Sequence, residues 1–159
     1  MNVLEIKDYE DKYQKEFKEI NLHWLKKNEL YEKADDALLD HPDEFVKKGA
    51  TILLAHLETK IVGTICINPI DETSKEILKF AVQEGYQGLG IGKKLMNLAI
   101  DLSKKNKVET IILESSSKLQ NALKMYKKFG FQHVETKDTH FVTADIKMEL
   151  KLSSYKNIN

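Results

Sequence analysis

Two rhythms of apolar residues alternate along the chain. Val3 to Ile6 suits a short strand, and after it Tyr13, Phe17, Ile20 and Trp24 recur at helical spacing. A shorter helical stretch is predicted over Leu30 to Leu39. It ends at Asp40-His41-Pro42-Asp43, because proline disfavours helix in the residue before it. Thr51 to Leu57 and Lys60 to Ile67 read as strands joined by the short Glu58-Thr59 connection, hence an antiparallel hairpin. Asn68-Pro69-Ile70-Asp71 reads as a turn, and Ile77 to Val82 as the next strand. Helical spacing then returns: Ile91, Leu95, Leu98, Ala99 and Leu102 share one face of a helix predicted from Ile91 to Asn106. Thr110 to Leu113 is an apolar, β-branched run suited to a buried strand. Leu119, Ala122, Leu123 and Tyr126 share another helical face, and Phe131 to Glu135 and Phe141 to Leu150 read as the last strands. The order is β-α-α-β-β-β-α-β-α-β-β, a mixed sheet with helices on its faces.

Composition narrows the function classes. A chain of 159 residues with ordinary apolar and charged fractions can bury one real core, and no low-complexity linker divides it. Residues 1–152 are expected to form a single domain and 153–159 a C-terminal tail. The 25 basic residues balance 25 acidic ones, which argues against a broad nucleic-acid-binding surface. Every basic residue is lysine, so no guanidinium fork is available, and any phosphate must be held by backbone N–H groups and lysines. The single cysteine, Cys66 in Ile65-Cys66-Ile67, excludes an intrachain disulfide and reads as a buried strand thiol. The five histidines show no metal-ligand spacing, so no metal is expected. MNVLEIKDYEDKY carries acids where a secretory leader would be apolar, and no apolar run approaches the ~20 residues that span a bilayer. A cytoplasmic protein without membrane or nucleic-acid partners is expected.

The most informative stretch is Gln87-Gly88-Leu89-Gly90-Ile91-Gly92, between a predicted strand and a predicted helix. Such a turn exposes backbone N–H groups at the positive end of the helix, and alternate glycines let the backbone approach a ligand closely. That combination suits a phosphate or pyrophosphate. The dinucleotide fingerprint needs its glycines in another order and an acid about 20 residues later. The alternative phosphate loop needs a Gly-Lys-Ser/Thr, which is absent here.

The chain resembles the GNAT superfamily of acyl-CoA-dependent N-acyltransferases, over nearly its whole length in element order and most specifically from Glu76 to Phe131. Gln87-x-x-Gly90-x-Gly92 matches the family's pyrophosphate loop. The strand Ile77 to Val82 occupies the place of its cofactor-binding fourth strand. Ala122-x-x-x-Tyr126-x-x-x-Gly130-Phe131 matches its late helix. The resemblance implies an α/β (α+β) fold: a mixed, mostly antiparallel sheet of six to seven strands, splayed between the fourth and fifth, with helices on both faces. It implies acetyl-CoA as cofactor, its pyrophosphate on Gln87, Gly88, Leu89, Gly90, Ile91, Gly92 and Lys93. The pantetheine amides would pair with the open backbone edge of Phe80, Ala81 and Val82. The expected partner is a small-molecule or peptide amine, and a homodimer is allowed.

Acyl transfer to an amine needs a neutral nucleophile, donors for the charge developing on the thioester oxygen, and a proton for the departing thiolate. By its place in the family pattern Tyr126 is the candidate general acid, although its spacing alone better describes a core tyrosine. Glu76, opening the fourth strand, and Glu114, closing the fifth, are candidate relays for the amine proton. Lys79, in mid-strand, either faces the substrate cavity or snorkels to solvent. The acceptor pocket is expected between the first two helices, about 26–48, and the last hairpin, about 136–143. There the acids Asp35, Asp36, Asp40, Asp43 and Glu44 would attract a cation or simply be solvated. Two departures stand out. Leu119 replaces a family asparagine that contacts pantetheine. Phe141-Val142-Thr143-Ala144-Asp145 stands where some bacterial relatives have Tyr-x-Arg-x-Asp. A non-catalytic acyl-CoA-binding module is the alternative function, and only an enzyme would need a phenol beside the sulfur.

Overall fold

The computed structural model describes residues 3–155, so residues 156–159 of the expected tail lie outside the described residues. Seven strands, β1 (Leu4–Asp8), β2 (Thr51–Leu57), β3 (Lys60–Pro69), β4 (Ser74–Val82), β5 (Thr110–Ser115), β6 (Gln132–Val134) and β7 (Ile146–Lys151), form one sheet in the order β1-β2-β3-β4-β5-β7-β6. All neighbours are antiparallel except β4 and β5. The helices are α1 (Gln14–Lys27), α2 (Asp36–Asp40), α3 (Pro42–Lys47), α4 (Ile91–Lys105) and α5 (Gln120–Phe129).

Period-two alternation distributes the strand side chains to two cores. Leu53, Ile65, Ile67, Ile77, Ile111 and Leu113 pack with Leu95, Met96 and Ile100 of α4 and with Leu123 and Phe129 of α5. Ile52, Leu54, Cys66 and Leu78 point the other way, toward Phe17 and Ile20 of α1 and Leu38 and Leu39 of α2. The central strands β2 and β3 are thereby covered on both faces, which is why they read as nearly unbroken apolar runs.

The β4–β5 pairing is short. It runs from Ser74↔Thr110 to Ile77↔Leu113 and stops there. Beyond Ile77 the two strands part, and Leu78 to Val82 keep one hydrogen-bonded neighbour, β3. The expected splay is present.

Several boundaries differ from the expectations, and four of them have a clear local reason. Helix begins at Asp36, after a single 3-10 turn over Lys33–Asp35, because Glu32 is extended (φ −141°) and forms a reciprocal capping box with Asp35. Pro42 breaks α2 and also starts α3, at the helix position where a missing N–H costs nothing. β3 continues through Pro69, a strand end where proline is tolerated. Residues 141–145 are not strand. The N–H groups of His140 and Phe141 donate to the Glu114 carboxylate at 2.7 and 3.0 Å, and those of Val142 and Thr143 to Glu32 at 3.0 and 2.9 Å. With their donors taken by side chains, these residues have no ladder to join, and β7 begins at Ile146. At the C-terminus the Tyr155 hydroxyl, assigned above to a tail, donates to Asn97 of α4 at 2.6 Å and extends the packed domain.

Candidate active site

The loop before α4 is shaped by left-handed backbone. Gly88 and Gly90 have φ of +82° and +81°, a region closed to most side chains, and a Cβ on either would stand in open space. Gly90 is the N-cap of α4. No side chain caps this helix and its first turn holds no acid; Lys93 and Lys94 stand there instead. Helices ordinarily attract acidic side chains to this end. The first intrahelical bond is donated by the Lys94 N–H to the Gly90 carbonyl at 3.1 Å, so the N–H groups before it are available to an external anion. At Gly92 a Cβ would lie 3.4 Å from the Phe80 ring, so this glycine also permits close packing of α4 on β4.

A cleft of about 680 Å³ runs from this loop along the open end of β4 to α5. Gln87, Gly88, Gly90, Ile91, Gly92 and Lys93 line it, with Phe80, Ala81 and Val82 of β4 and Ala122, Met125 and Tyr126 of α5. The Leu89 side chain is 64% exposed at the loop tip and does not line the cleft, so what this residue offers the loop is its backbone. Ala81 contributes only backbone, since its methyl packs into the core beneath α1.

A β-bulge sets the chemistry of β4. Between the pairs Thr64↔Ala81 and Cys66↔Leu78, β4 carries one residue more than β3, and Lys79 takes φ +48° to absorb it. Leu78 and Lys79 therefore face the same side, toward α1 and α2, while Phe80 and Val82 turn to the cleft. Thr64 Oγ1 holds the Lys79 carbonyl at 2.8 Å. The Lys79 ammonium pairs with Asp35 at 2.6 Å, both side chains nearly sealed (6% and 3% exposed), and lies 4.7 Å from the centre of the Phe141 ring. Of the two expectations for Lys79, snorkelling to solvent is not realised.

Lys79, Asp35, Leu25, Leu30, Glu114, Phe141 and Thr143 line a second, smaller pocket of about 110 Å³ on the α1–α2 side. Four residues, Trp24, Phe80, Leu119 and Tyr126, line both this pocket and the cleft. Tyr126 thus stands where the two meet. It is 8% exposed, its ring packs against Phe80 and Phe131, and burial pushes its hydroxyl pKa upward, keeping the phenol protonated at neutral pH. A larger groove of about 860 Å³ between α1 and Val82–Glu84 adjoins the cleft at Trp24, Lys27, Val82 and Gln87, but contains neither Tyr126 nor the β4–β5 opening.

The two candidate carboxylates part company. Glu114 lines the small pocket, but both its oxygens accept backbone N–H groups of residues 140 and 141. Glu76 is buried on the same face of the sheet and outside the pocket lining. Burial first, and then the neighbouring Glu114 charge, push its carboxyl above the ordinary 4.5. A raised carboxyl pKa means that the folded state holds this proton more tightly than the unfolded state. Its contribution is then full below about 4.5 and is lost as pH rises through the folded value. Glu76→Gln is accordingly expected to melt higher than the parent at neutral pH, the gap closing toward pH 3–4 in parallel melts; a gap independent of pH would refute this.

The acidic cluster is largely spent internally. Asp35 pairs with Lys79, Asp36 accepts the Tyr31 hydroxyl at 2.6 Å, and Asp40 pairs with Lys18 at 2.5 Å. Glu32 was not foreseen as a site residue. Burial works to raise its carboxyl, but hydrogen bonds from Thr143 and Val142 outweigh that and hold it below its ordinary value. Cys66 is sealed and burial pushes its thiol up to about 12, as a structural strand cysteine requires. Among the described residues no group of three or more metal-ligating side chains converges, and no helix is long and apolar enough to cross a membrane.

The sequence pattern of the Acetyltransferase (GNAT) family matches residues 7–131, a span that includes the loop, the bulged strand and Tyr126. The chain belongs to the GNAT acetyltransferase family. N-acetylaspartate synthetase of Xenopus tropicalis is 30% identical over 95 residues, covering 59% of this chain and 35% of that protein, so the chain spans about a third of that relative. A GNAT-family acetyltransferase of Staphylococcus aureus Mu50 superposes with a TM-score of 0.86 at 25% identity, over 94% of this chain and 99% of the other. PaiA N-acetyltransferase of Thermoplasma acidophilum, solved in complex with coenzyme A, superposes at 0.75 with 19% identity, over 94% and 99%.

For a GNAT protein the cleft has the attributes a pyrophosphate-bearing acyl carrier requires. The space beside Gly88 and Gly90 is open, the α4 end is uncapped, and lysines replace acids in its first turn. Gly90→Val would place a branched side chain in that space and in a backbone region costing roughly 1–2 kcal/mol for such residues. Acetyl-CoA is expected to raise the melting temperature of the parent and not that of a folded Gly90→Val protein. An equal shift in both would defeat the assignment of this loop.

Proposed function

We propose that this chain transfers the acetyl group of acetyl-CoA to a primary amine, both bound at once. The observation that carries the reading is Tyr126, placed where the long cleft and the small pocket meet beside the β4–β5 opening. Bound acetyl-CoA supplies an acyl thioester, and the net change is a new C–N bond for a broken C–S bond, with one proton lost from nitrogen and one gained by sulfur.

The residues divide the remaining work. Gln87 to Lys93 hold the pyrophosphate with backbone N–H groups, as a chain without arginine must. The open edge from Leu78 to Val82 offers alternating N–H and C=O groups to an amide-bearing arm. Trp24, Phe80 and Leu119 wall the junction and exclude water. Tyr126, kept protonated by burial, gives its proton to the departing sulfur and regains one from solvent. Glu114 acts through the 140–141 backbone it holds, and Glu76 lies outside the pocket, so the amine proton leaves to water. Much of the rate comes from holding the two reactants together.

A non-catalytic acyl-CoA-binding module needs the cleft but neither the small pocket nor a phenol at the junction. Release of free CoA from acetyl-CoA, followed with a thiol reagent across a panel of primary amines, separates the two. Amine-dependent release supports transfer. A protein stabilised by acetyl-CoA that releases none with any amine is a binding module.

A further inference from the structure

The small pocket carries information about the acceptor, resting on the acetyltransferase reading above. Its charged groups are already paired or hydrogen-bonded. The Lys79 ammonium and the Asp35 carboxylate neutralise each other, and Glu114 gives both oxygens to backbone N–H groups. Glu32, just behind the wall, is occupied by Val142 and Thr143, including the Thr143 hydroxyl at 2.7 Å. Of the two carboxylates that line this pocket among the described residues, Asp35 is offset by Lys79, while Glu114, bonded only by neutral N–H groups, keeps a charge that suffices for one ammonium and not for two. The remaining walls are mostly apolar: Leu25, Leu30, Leu119, Phe141 and the Trp24 ring.

Size is set as firmly as polarity. The pocket measures about 110 Å³, roughly four water molecules at about 30 Å³ each. Phe141 forms one wall and cannot retreat freely. Four consecutive N–H groups, 140 to 143, are clamped by two carboxylates from different elements, and its ring face is engaged by Lys79. Val142 beside it is 92% exposed, and Tyr31, next to Glu32, is 37% exposed, so the surface beside this clamp also has apolar character.

We propose that the acceptor is a monoamine carried on a compact, uncharged, apolar group, that polycationic amines are rejected, and that Phe141 is the residue that sets the accepted size. A second ammonium without a counter-charge is disfavoured in such a pocket, whereas a single amine can enter opposite Glu114. Burial among the apolar walls then favours its neutral, nucleophilic form. The acceptor nitrogen uses its lone pair for the new C–N bond and loses its proton to water, as in the balance given above.

The test compares pentylamine with 1,5-diaminopentane, which differ by a second ammonium, and isobutylamine with phenethylamine, which differ in bulk. The full chain is used with acetyl-CoA, and kcat/KM is read from CoA release. We expect pentylamine to exceed the diamine by about 10-fold or more, and isobutylamine to exceed phenethylamine by a similar factor, the scale on which apolar pockets discriminate bulk. Phe141→Ala should reverse the second ratio, and Phe141→Leu should move it partway; the leucine variant decides the matter if alanine destabilises the fold. Preference for the diamine, or an unchanged size ratio in a folded Phe141 variant, overturns the proposal. No release with any amine, in a protein whose melting point acetyl-CoA still raises, overturns the acetyltransferase reading, and the selectivity with it.

Discussion

Tyr126→Phe is expected to lower turnover about 100-fold or more, the usual scale for loss of a general acid, while acetyl-CoA affinity and melting temperature stay close to those of the parent. The expectation rests on where the hydroxyl sits. The ring packs with Phe80 and Phe131, and phenylalanine keeps those contacts. Among the described residues no hydrogen bond engages the hydroxyl, and it is absent from the sealed polar atoms that lack a partner. Its removal therefore orphans no donor or acceptor, a loss that would otherwise cost about 1–3 kcal/mol. Three measurements on both proteins decide the matter: turnover with a working amine, a CoA titration and a melting curve. Parent-like turnover in a folded variant would end the general-acid role and leave a mechanism of proximity, with the thiolate protonated by water.

Asp35→Asn is expected to be among the most destabilising single changes outside the two cores. It leaves the Lys79 ammonium buried without its counter-charge, and removing one partner of a sealed pair typically costs ~3–5 kcal/mol. That is a large share of the roughly 5–15 kcal/mol available to a domain of this kind. For this chain length it corresponds to a melting temperature lower by about 6–20 °C. The double variant Asp35→Leu, Lys79→Met should recover part of the loss, because replacing both charges with apolar groups of similar size removes the desolvation cost together with the attraction, while the Glu32 N–H still loses the Asp35 oxygen it donates to. Thermal melts of the three proteins provide the check. A single variant that melts with the parent would mean that the pair is hydrated in solution, which would also undercut the charge accounting behind the acceptor proposal.

Elements with strong periodicity were legible before any coordinates. The hairpin of β2 and β3, the helix α4 and the strand β5 lie where alternation and helical spacing put them, because each needs only its own residues and a core to face. The loop at Gly88 and Gly90 was legible for a similar reason: left-handed backbone demands glycine wherever the partner lies. Residues 141–145 were misread as strand because Phe141, Val142 and Thr143 have strand-forming side chains. What overrides that preference is supplied by Glu32 and Glu114, distant in sequence from the backbone they bind. Lys79 announced a problem, a charge in an apolar strand, without announcing its answer. The partner acid is 44 positions away, among several acids of equal appearance.

Local patterns along the chain were thus sufficient to determine the element types, the two-faced sheet, the family resemblance and the glycine-rich loop before α4, since all of these depend on short-range spacing and backbone geometry. Three matters waited for tertiary structure: which carboxylates were already committed, which side of β4 each residue faced, and how small the pocket around Lys79 is. The first is a question of long-range pairing. The second turns on one bulge residue, Lys79, that shifts the alternation of everything after it. The third follows from Phe141 being held over Lys79 by a clamp whose members meet only when the sheet and the α1–α2 segment close together.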